Sequence, residues 1–331
     1  MRLSVIVPCR NEIRYIGKCV ESILAQDFPK NDMEVLFVDG MSTDGTRDLL
    51  ADYCSQYDFL HLLDNEKFIV PSALNLGIAQ AKGEIIMRLD VHAMYDTNYI
   101  SVLVRKLGEL NADNVGCVCR TDVLNKTPKS LAIKAVLSSR FGVGNSDFRT
   151  GVASEQLVDT VPFGCYRKSV FEKYGIFDER LVRNQDIEFN KRIVNDGGSI
   201  YLIPKALCTY YARDTFGSMA HNNYGNGLWN VLTVKITRRF TSLSVRHFVP
   251  MFFLLSLICP LALMAVDVRF GFIAAASACA YLLLTLLVSQ RASSRSKSLK
   301  VRYLFAAFTT LHLSYGFGSL VGLFSFPKKQ K

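Results

Sequence analysis

Four short stretches carry the residues whose types and spacing could do chemistry. Arg88-Leu89-Asp90-Val91-His92 follows the apolar run Glu84-Ile85-Ile86-Met87. A carboxylate and an imidazole two residues apart, leaving a strand end, could hold a divalent cation, or could be a solvated turn. Asp39 closes a second apolar run, MEVLFVD, and opens GMSTDGT. A carboxylate there can accept the N–H of a uracil-like base, or can start an Asx turn or cap the next helix, as Ser42 or Asp44 also could. Pro8, Arg10 and Glu12 follow the first apolar run, with Arg10 readable as a surface cation. Asp186, in NQDIEFNKRI, is a carboxylate that can take a proton and also fits a helix N-cap, with Glu188 in the first turn. Glu188 and Arg192 stand at i and i+4 and can pair on one helix face.

These residues need elements to position them, and the periodicity supplies a set. LSVIV (3–7), MEVLFVD (33–39), FLHLL (59–63), EIIMRLD (84–90) and VGCVCR (115–120) are short apolar, β-type runs. Between them lie helical spacings: Ile13, Ile16, Val20, Ile23 and Leu24; then Leu49, Leu50, Tyr53, Cys54 and Tyr57; then a helix opened by Pro71 and stopped by Gly83; then Tyr99–Leu110, with Asp96 as its cap. Alternating β and α with apolar strands predicts an α/β fold, a mostly parallel sheet flanked by helices. Ligands of such sheets bind beyond the carboxyl ends of the strands, where Arg10, Glu12, Asp39, Asp90 and His92 cluster. Neither G-x-G-x-x-G after the first strand nor a P-loop is present, which argues against an ordinary dinucleotide or P-loop site. Residues 141–160 read as a mobile surface loop, and SIYLI (199–203) as a later strand.

Apolar residues make up 50% of the 331, but they concentrate near the C-terminus. From Phe248 to Gln290 the only charges are Asp267 and Arg269, and from Val301 to Phe326 the only charge is Arg302, with one histidine, His312. This predicts a first domain over 1–240 and a membrane region over 241–331, with two to three hydrophobic helices near 248–268, 270–289 and 303–326. The net charge of +10 is placed largely beside those runs, in Lys235, Arg238, Arg239, Arg246 and RASSRSKSLKVR. That placement reads as membrane flanking and disfavours a nucleic-acid partner. MRLSVIVPCRNE has too short an apolar run for a secretory leader, so the first domain and the basic 291–302 loop are expected on the cytoplasmic side. Three full crossings would then place PKKQK on the far side, against the positive-inside rule, so the third segment either spans, re-enters or lies at the interface. Nine cysteines show no CxxC pair. Cys117 and Cys119 alternate on one strand face and read as small buried hydrophobes in a reducing compartment.

VIVPCRNE, FVDGMSTDGT, PSALNLG, RLDVHA, FGCYRKSVFEKYGIFDE and NQDIEFNKRI occur in the order and spacing of glycosyltransferase family 2. The chain is similar to its inverting GT-A fold enzymes and, in particular, to the succinoglycan-type membrane-attached glucosyltransferases, over roughly residues 1–235. The resemblance implies a UDP-sugar donor held by Pro8, Arg10, Glu12, Asp39, Asn75, Asp90 and Gly164. It implies a divalent cation, Mn²⁺ or Mg²⁺, bound at Asp90 and His92, where the usual motif is Asp-x-Asp. It implies Asp186 as general base, with Gln185 in place of the family's Glu. Arg10 replaces a residue that is often aromatic in the family. Phe177-Asp178 resembles the family's Phe-Asp-Glu turn, or is local turn structure. Arg213 and His221 could touch phosphate or metal, or could belong to an interfacial helix. The Gln-x-x-Arg-Trp motif of processive synthases is missing; Trp229 follows Gly227-Leu228.

The expectation is therefore a metal-dependent inverting hexosyltransferase at the cell (inner) membrane, multi-pass, with a cytoplasmic catalytic domain. It would pass a sugar, glucose or a related hexose, from a UDP-sugar to a lipid-linked saccharide in exopolysaccharide or cell-surface glycan synthesis, in contact with membrane lipids. Two alternatives stay open: a polyprenyl-phosphate monosaccharide transferase, and a non-catalytic nucleotide-sugar-binding membrane partner.

Overall fold

In a computed structural model, which describes residues 2–326, the expected alternation appears as β1 (Leu3–Cys9), α1 (Ile16–Leu24), β2 (Met33–Asp39), α2 (Thr46–Gln56), β3 (Leu60–Asp64), α3 (Val70–Gln80) and β4 (Ile85–Arg88). Then come β5 (Ala93–Tyr95), α4 (Tyr99–Glu109), β6 (Asn114–Asp122), α5 (Pro128–Leu137), α6 (Arg140–Val143), α7 (Asp147–Thr150), β7 (Gln156–Leu157) and β8 (Cys165–Arg167). The chain continues through α8 (Ser169–Tyr174), α9 (Gln185–Asn195), β9 (Ile200–Tyr211) and α10 (Phe216–Thr237) to α11 (Val249–Leu263), α12 (Phe270–Ser294) and α13 (Val301–Phe324).

Two compact units result: one of residues 1–120 and 150–210, the other of 121–149 and 211–331. The second unit thus takes in α5, α6 and α10 together with the apolar helices, whereas composition alone suggested a division near residue 240.

The sheet order is β3-β2-β1-β4-β8-β6-β9-β5, with β7 beside β9. β1 runs parallel to β2 and β4, and β2 to β3. β8 is antiparallel to both β4 and β6. The sheet is therefore mixed, and VGCVCR is not the neighbour of β4 that a simple alternation implies. A three-residue strand, β8, lies between them, too short to announce itself by periodicity. β2 is buried at every position, as a strand covered on both faces must be. Its one central polar residue, Glu34, is satisfied there by Ser4 Oγ at 2.6 Å and by the Lys82 backbone N–H at 2.7 Å.

Three local expectations change. The 141–160 segment is not a plain loop, because α6, α7 and β7 occupy much of it. Asp96 does not cap α4 with its side chain; Asn98 holds the cap position, and the Asp96 carbonyl accepts from Tyr99 N and Gln26 Nε2. Asp186 is not an N-cap either: Asn184, at φ 64°, precedes α9, and Asp186 lies in its first turn.

In the second unit, Val245–Leu263, Phe270–Ser294 and Val301–Phe324 are long and apolar enough to cross a membrane, with mean hydropathies of 1.7, 2.2 and 1.3. The last packs along α10 through glycines. A Cβ on Gly227 would collide with the Tyr315 carbonyl, and one on Gly318 with the Tyr224 carbonyl. Close backbone approach of this kind is how small residues hold helices together where a hydrophobic driving force is weak. PKKQK lies outside the described residues.

Candidate active site

The loops after β1 and β2 are laced to each other. Asn11 N donates to Ser42 Oγ at 2.8 Å, Thr43 N to Asn11 Oδ1 at 2.9 Å, Glu12 N to Thr46 Oγ1 at 2.8 Å and Ile13 N to Asp44 Oδ2 at 3.1 Å. Burial works against the Asp44 charge, but the bonds from Thr46 and Ile13 outweigh it and hold this carboxyl below its ordinary range. Asp39 is fully buried at the end of β2 and accepts from Ser42 N at 2.9 Å, Ser42 Oγ at 2.5 Å and Arg47 Nη1 at 3.3 Å. Arg47 also reaches Asp64, at the end of β3, at 2.6 Å. The carboxylate of Asp39 therefore closes an Asx-type turn itself, and an incoming base would share it with Ser42 and Arg47. Arg10 is exposed, with its guanidinium 4.7 Å from the centre of the Phe68 ring, and Pro8 sits in register with Val38.

At the end of β4 the chain turns sharply. His92 N donates to Asp90 Oδ1 at 2.9 Å, and the Tyr95 hydroxyl clasps the Asp90 backbone, accepting from its N–H at 2.7 Å and donating to its carbonyl at 3.0 Å. His92 Nε2 lies 3.0 Å from Glu12 Oε1, and the Tyr15 ring packs on the imidazole with centroids 4.4 Å apart. Glu12, from the first loop, thus meets His92, from the turn after β4, which no spacing in the sequence indicated. An aspartate oxygen and an imidazole nitrogen, both partly exposed at one strand end, suit a divalent cation that accepts mixed oxygen and nitrogen ligands, such as Mn²⁺.

Asp186 stands at the start of α9. Its Oδ1 accepts from Ile187 N at 2.9 Å, and its Oδ2 lies 3.5 Å from Arg88 Nη1. Arg88 is the last residue of β4, two positions before Asp90, and is only 9% exposed. Among the described residues its Nε and Nη1 have no hydrogen-bond partner. This arginine is not among the candidates that the sequence suggests. A signal exists, since a cation closing a buried strand needs a counter-charge, but only the fold says which carboxylate supplies it.

The other candidates take different places. Asn75, buried in α3, donates to the Phe177 carbonyl at 2.9 Å and accepts from Phe177 N at 3.0 Å, so its carboxamide is committed to the Phe177-Asp178-Glu179 turn. The Gly164 carbonyl accepts from Arg88 N at 3.0 Å, and a Cβ on Gly164 would strike the Tyr166 ring. Glu188 and Arg192 do pair, at 3.1 Å between Oε1 and Nε, and Arg192 also donates to the Tyr174 and Ile176 carbonyls. Arg213 and His221 are exposed residues of the second unit.

The strand ends thus bring together the buried Asp39 carboxylate, the Asp90 and His92 side chains and a second carboxylate, Asp186, backed by a buried arginine. Residues 4–175 match the profile described as Glycosyl transferase family 2. The chain belongs to that family. It is a glycosyltransferase with a GT-A fold, whose mixed sheet is flanked by helices. Among its relatives, a dolichyl N-acetyl-alpha-D-glucosaminyl phosphate 3-beta-D-2,3-diacetamido-2,3-dideoxy-beta-D-glucuronosyltransferase of Methanococcus voltae is 27% identical over 249 residues, covering 69% of this chain and 76% of that protein. The succinoglycan biosynthesis protein ExoA of Rhizobium meliloti is 28% identical over 225 residues, covering 67% of each. Among solved structures, the mannosyltransferase PcManGT from Pyrobaculum calidifontis, in complex with GDP-Man and Mn²⁺, superposes with a TM-score of 0.59 at 19% identity, over 97% of this chain and 87% of that one. Residues 1–349 of S. aureus TarS, in complex with UDP-GlcNAc, superpose with a TM-score of 0.51 at 17% identity, over 97% and 91%. At these identities the two structures speak for the fold alone.

Proposed function

We propose that this glycosyltransferase is inverting and metal-dependent, and moves a hexose from a UDP-sugar to a lipid-linked saccharide at the cytosolic membrane face. The observation that carries the reading is the Arg88–Asp186 pair. It ties a candidate base on α9 to the last residue of β4, two positions before Asp90, so the groups needed at donor and acceptor converge on one strand end.

In this reading the uracil N–H is accepted by Asp39, which Ser42 and Arg47 hold in place, while the loop carrying Pro8, Arg10 and Glu12 lies along the nucleotide. Asp90 and His92 would hold the cation, with Glu12 orienting the imidazole; such an ion offsets the charge that builds on the diphosphate. Asp186 accepts the proton of the acceptor hydroxyl as its oxygen bonds to the anomeric carbon from the face opposite the nucleotide. The anomeric C–O bond breaks and UDP leaves with the electron pair. Arg88 keeps Asp186 aimed. Asn75 acts indirectly, by fixing the turn at Phe177. A division of labour with catalysis in 1–240 and membrane attachment in 241–331 fits the three apolar helices. The lipid-linked acceptor is favoured because the Methanococcus relative is named for transfer to a dolichyl phosphate-linked sugar.

The test is UDP release and product formation by detergent-solubilised protein, given UDP-glucose, Mn²⁺ and lipid-linked acceptors. Asp186→Asn should abolish transfer while UDP binding persists. Wild-type turnover by that variant would overturn the base assignment. UDP binding with neither transfer nor donor hydrolysis in the parent would instead mean a binding module.

A further inference from the structure

Three of the chain's cysteines meet in the core of the first unit. Cys117 and Cys119 stand at i and i+2 on β6 and so share one face, and Cys208 comes from the adjacent strand β9. Their exposures are 0%, 3% and 0%. The sulfurs lie 3.0 Å apart for Cys119–Cys208, 3.4 Å for Cys117–Cys208 and 3.7 Å for Cys117–Cys119. The Tyr99 hydroxyl is buried beside Cys117 and, among the described residues, finds no hydrogen-bond partner of ordinary geometry. Small hydrophobes filling a core have no need to converge on one point, and a hydroxyl left over at that point costs stability unless it serves something.

We propose that Cys117, Cys119 and Cys208 form a three-thiolate site for one divalent d¹⁰ ion of the zinc class, separate from the cation pair at Asp90 and His92. Metal–sulfur bonds of about 2.3 Å place ligand sulfurs about 3.8–4.0 Å apart, so the observed triangle needs to open by about 1 Å or less. Sulfur-only donors select a thiophilic ion and disfavour Mn²⁺ and Mg²⁺. Binding replaces three S–H protons by the ion, so three protons leave and the complex carries one negative charge. The Tyr99 O–H is placed to donate to it. The site is also linked to the catalytic edge. Cys208 is in register with Tyr95 across the β9–β5 pair, and the Tyr95 hydroxyl clasps Asp90. An ion here would brace the strand behind the donor site.

The experiment uses the full chain in detergent with a phosphine reductant. Cys54, Cys259 and Cys279, which are the thiols not fully buried, are replaced by serine. Titration with Cd²⁺ should raise a sulfur-to-metal charge-transfer band that saturates at one equivalent, with proton release. Excess Mn²⁺ should not displace the ion. Cys119→Ala and Cys208→Ala should each weaken Cd²⁺ binding by about 100-fold or more, with circular dichroism confirming the fold. Cadmium NMR of the parent reads the number of sulfur ligands without further substitution, and should report three. Absence of the band at stoichiometric Cd²⁺, a different sulfur count, or a band unchanged in folded Cys119→Ala would overturn the proposal, the last by placing the ion on Cys9, Cys19 or Cys165.

Discussion

Replacing Arg88 by methionine tests the reading of the active site most directly. Methionine keeps much of the buried volume and removes the charge. The pair it breaks is a 3.5 Å contact between an arginine side chain 11% exposed and an aspartate side chain 33% exposed. Two unit charges at that distance attract by about 5 kcal/mol at an effective dielectric constant of about 20. Water reaches the aspartate, and screening reduces the net value. Exposed pairs give about 1 kcal/mol or less, whereas breaking a buried pair costs about 3–5 kcal/mol. A half-buried pair lies between them, at about 1.5–3 kcal/mol. If that energy orients the base in the transition state, kcat for Arg88→Met should fall by about tenfold to 150-fold. Because Arg88 does not contact the nucleotide in this reading, KM for the UDP-sugar should stay within about twofold. Arg88→Lys, which keeps a charge on a shorter reach, should recover part of the loss. Initial-rate measurements of UDP release give both parameters. An Arg88→Met enzyme with wild-type kcat, or with its whole loss in KM, would refute the positioning role.

Three further outcomes are expected. His92→Ala should raise the Mn²⁺ concentration for half-maximal UDP binding by about tenfold or more; unchanged affinity in a calorimetric titration would remove His92 from the ligands. Asn75→Ala leaves both polar backbone groups of Phe177 without their partner, at a cost of about 1–3 kcal/mol, so a thermal melt should move down by about 3–10 °C. The Asp44 carboxyl is lowered in the folded state, so its contribution to docking the first loop is complete above its ordinary value of 3.8 and is lost as pH falls through the folded value. Asp44→Asn should remove this acid dependence of UDP binding, and a parallel acid limb in that variant would assign the dependence elsewhere.

Much of this arrangement was legible from residue types alone, for identifiable reasons. β1, β2, β3 and β4 are apolar, β-type runs, so a period and a length suffice to place them. The apolar C-terminal helices are visible because bilayer-length runs with few charges are rare by chance. β8 was not legible, since a strand of three residues has no period to detect and exists because β4 and β6 offer it edges. Nor were the caps of α4 and α9: an aspartate near a helix start satisfies several geometries, and backbone angles at Asn98 and Asn184 chose among them.

The candidate site divides the same way. Asp39, Asp90, His92 and Asp186 could be picked out by the sequence itself, because each ends an apolar run or opens a helical one, and polar chemistry at such a boundary is local information. Their partners could not. Glu12 meets His92 across 80 positions, Arg88 meets Asp186 across 98, and Cys208 meets Cys119 across 89. Those pairings follow from strand order, and strand order is set by which edges can be covered and paired once the whole chain has collapsed. The sequence determined which side chains carry charge and where the chain turns; only the tertiary structure decided which charges face each other.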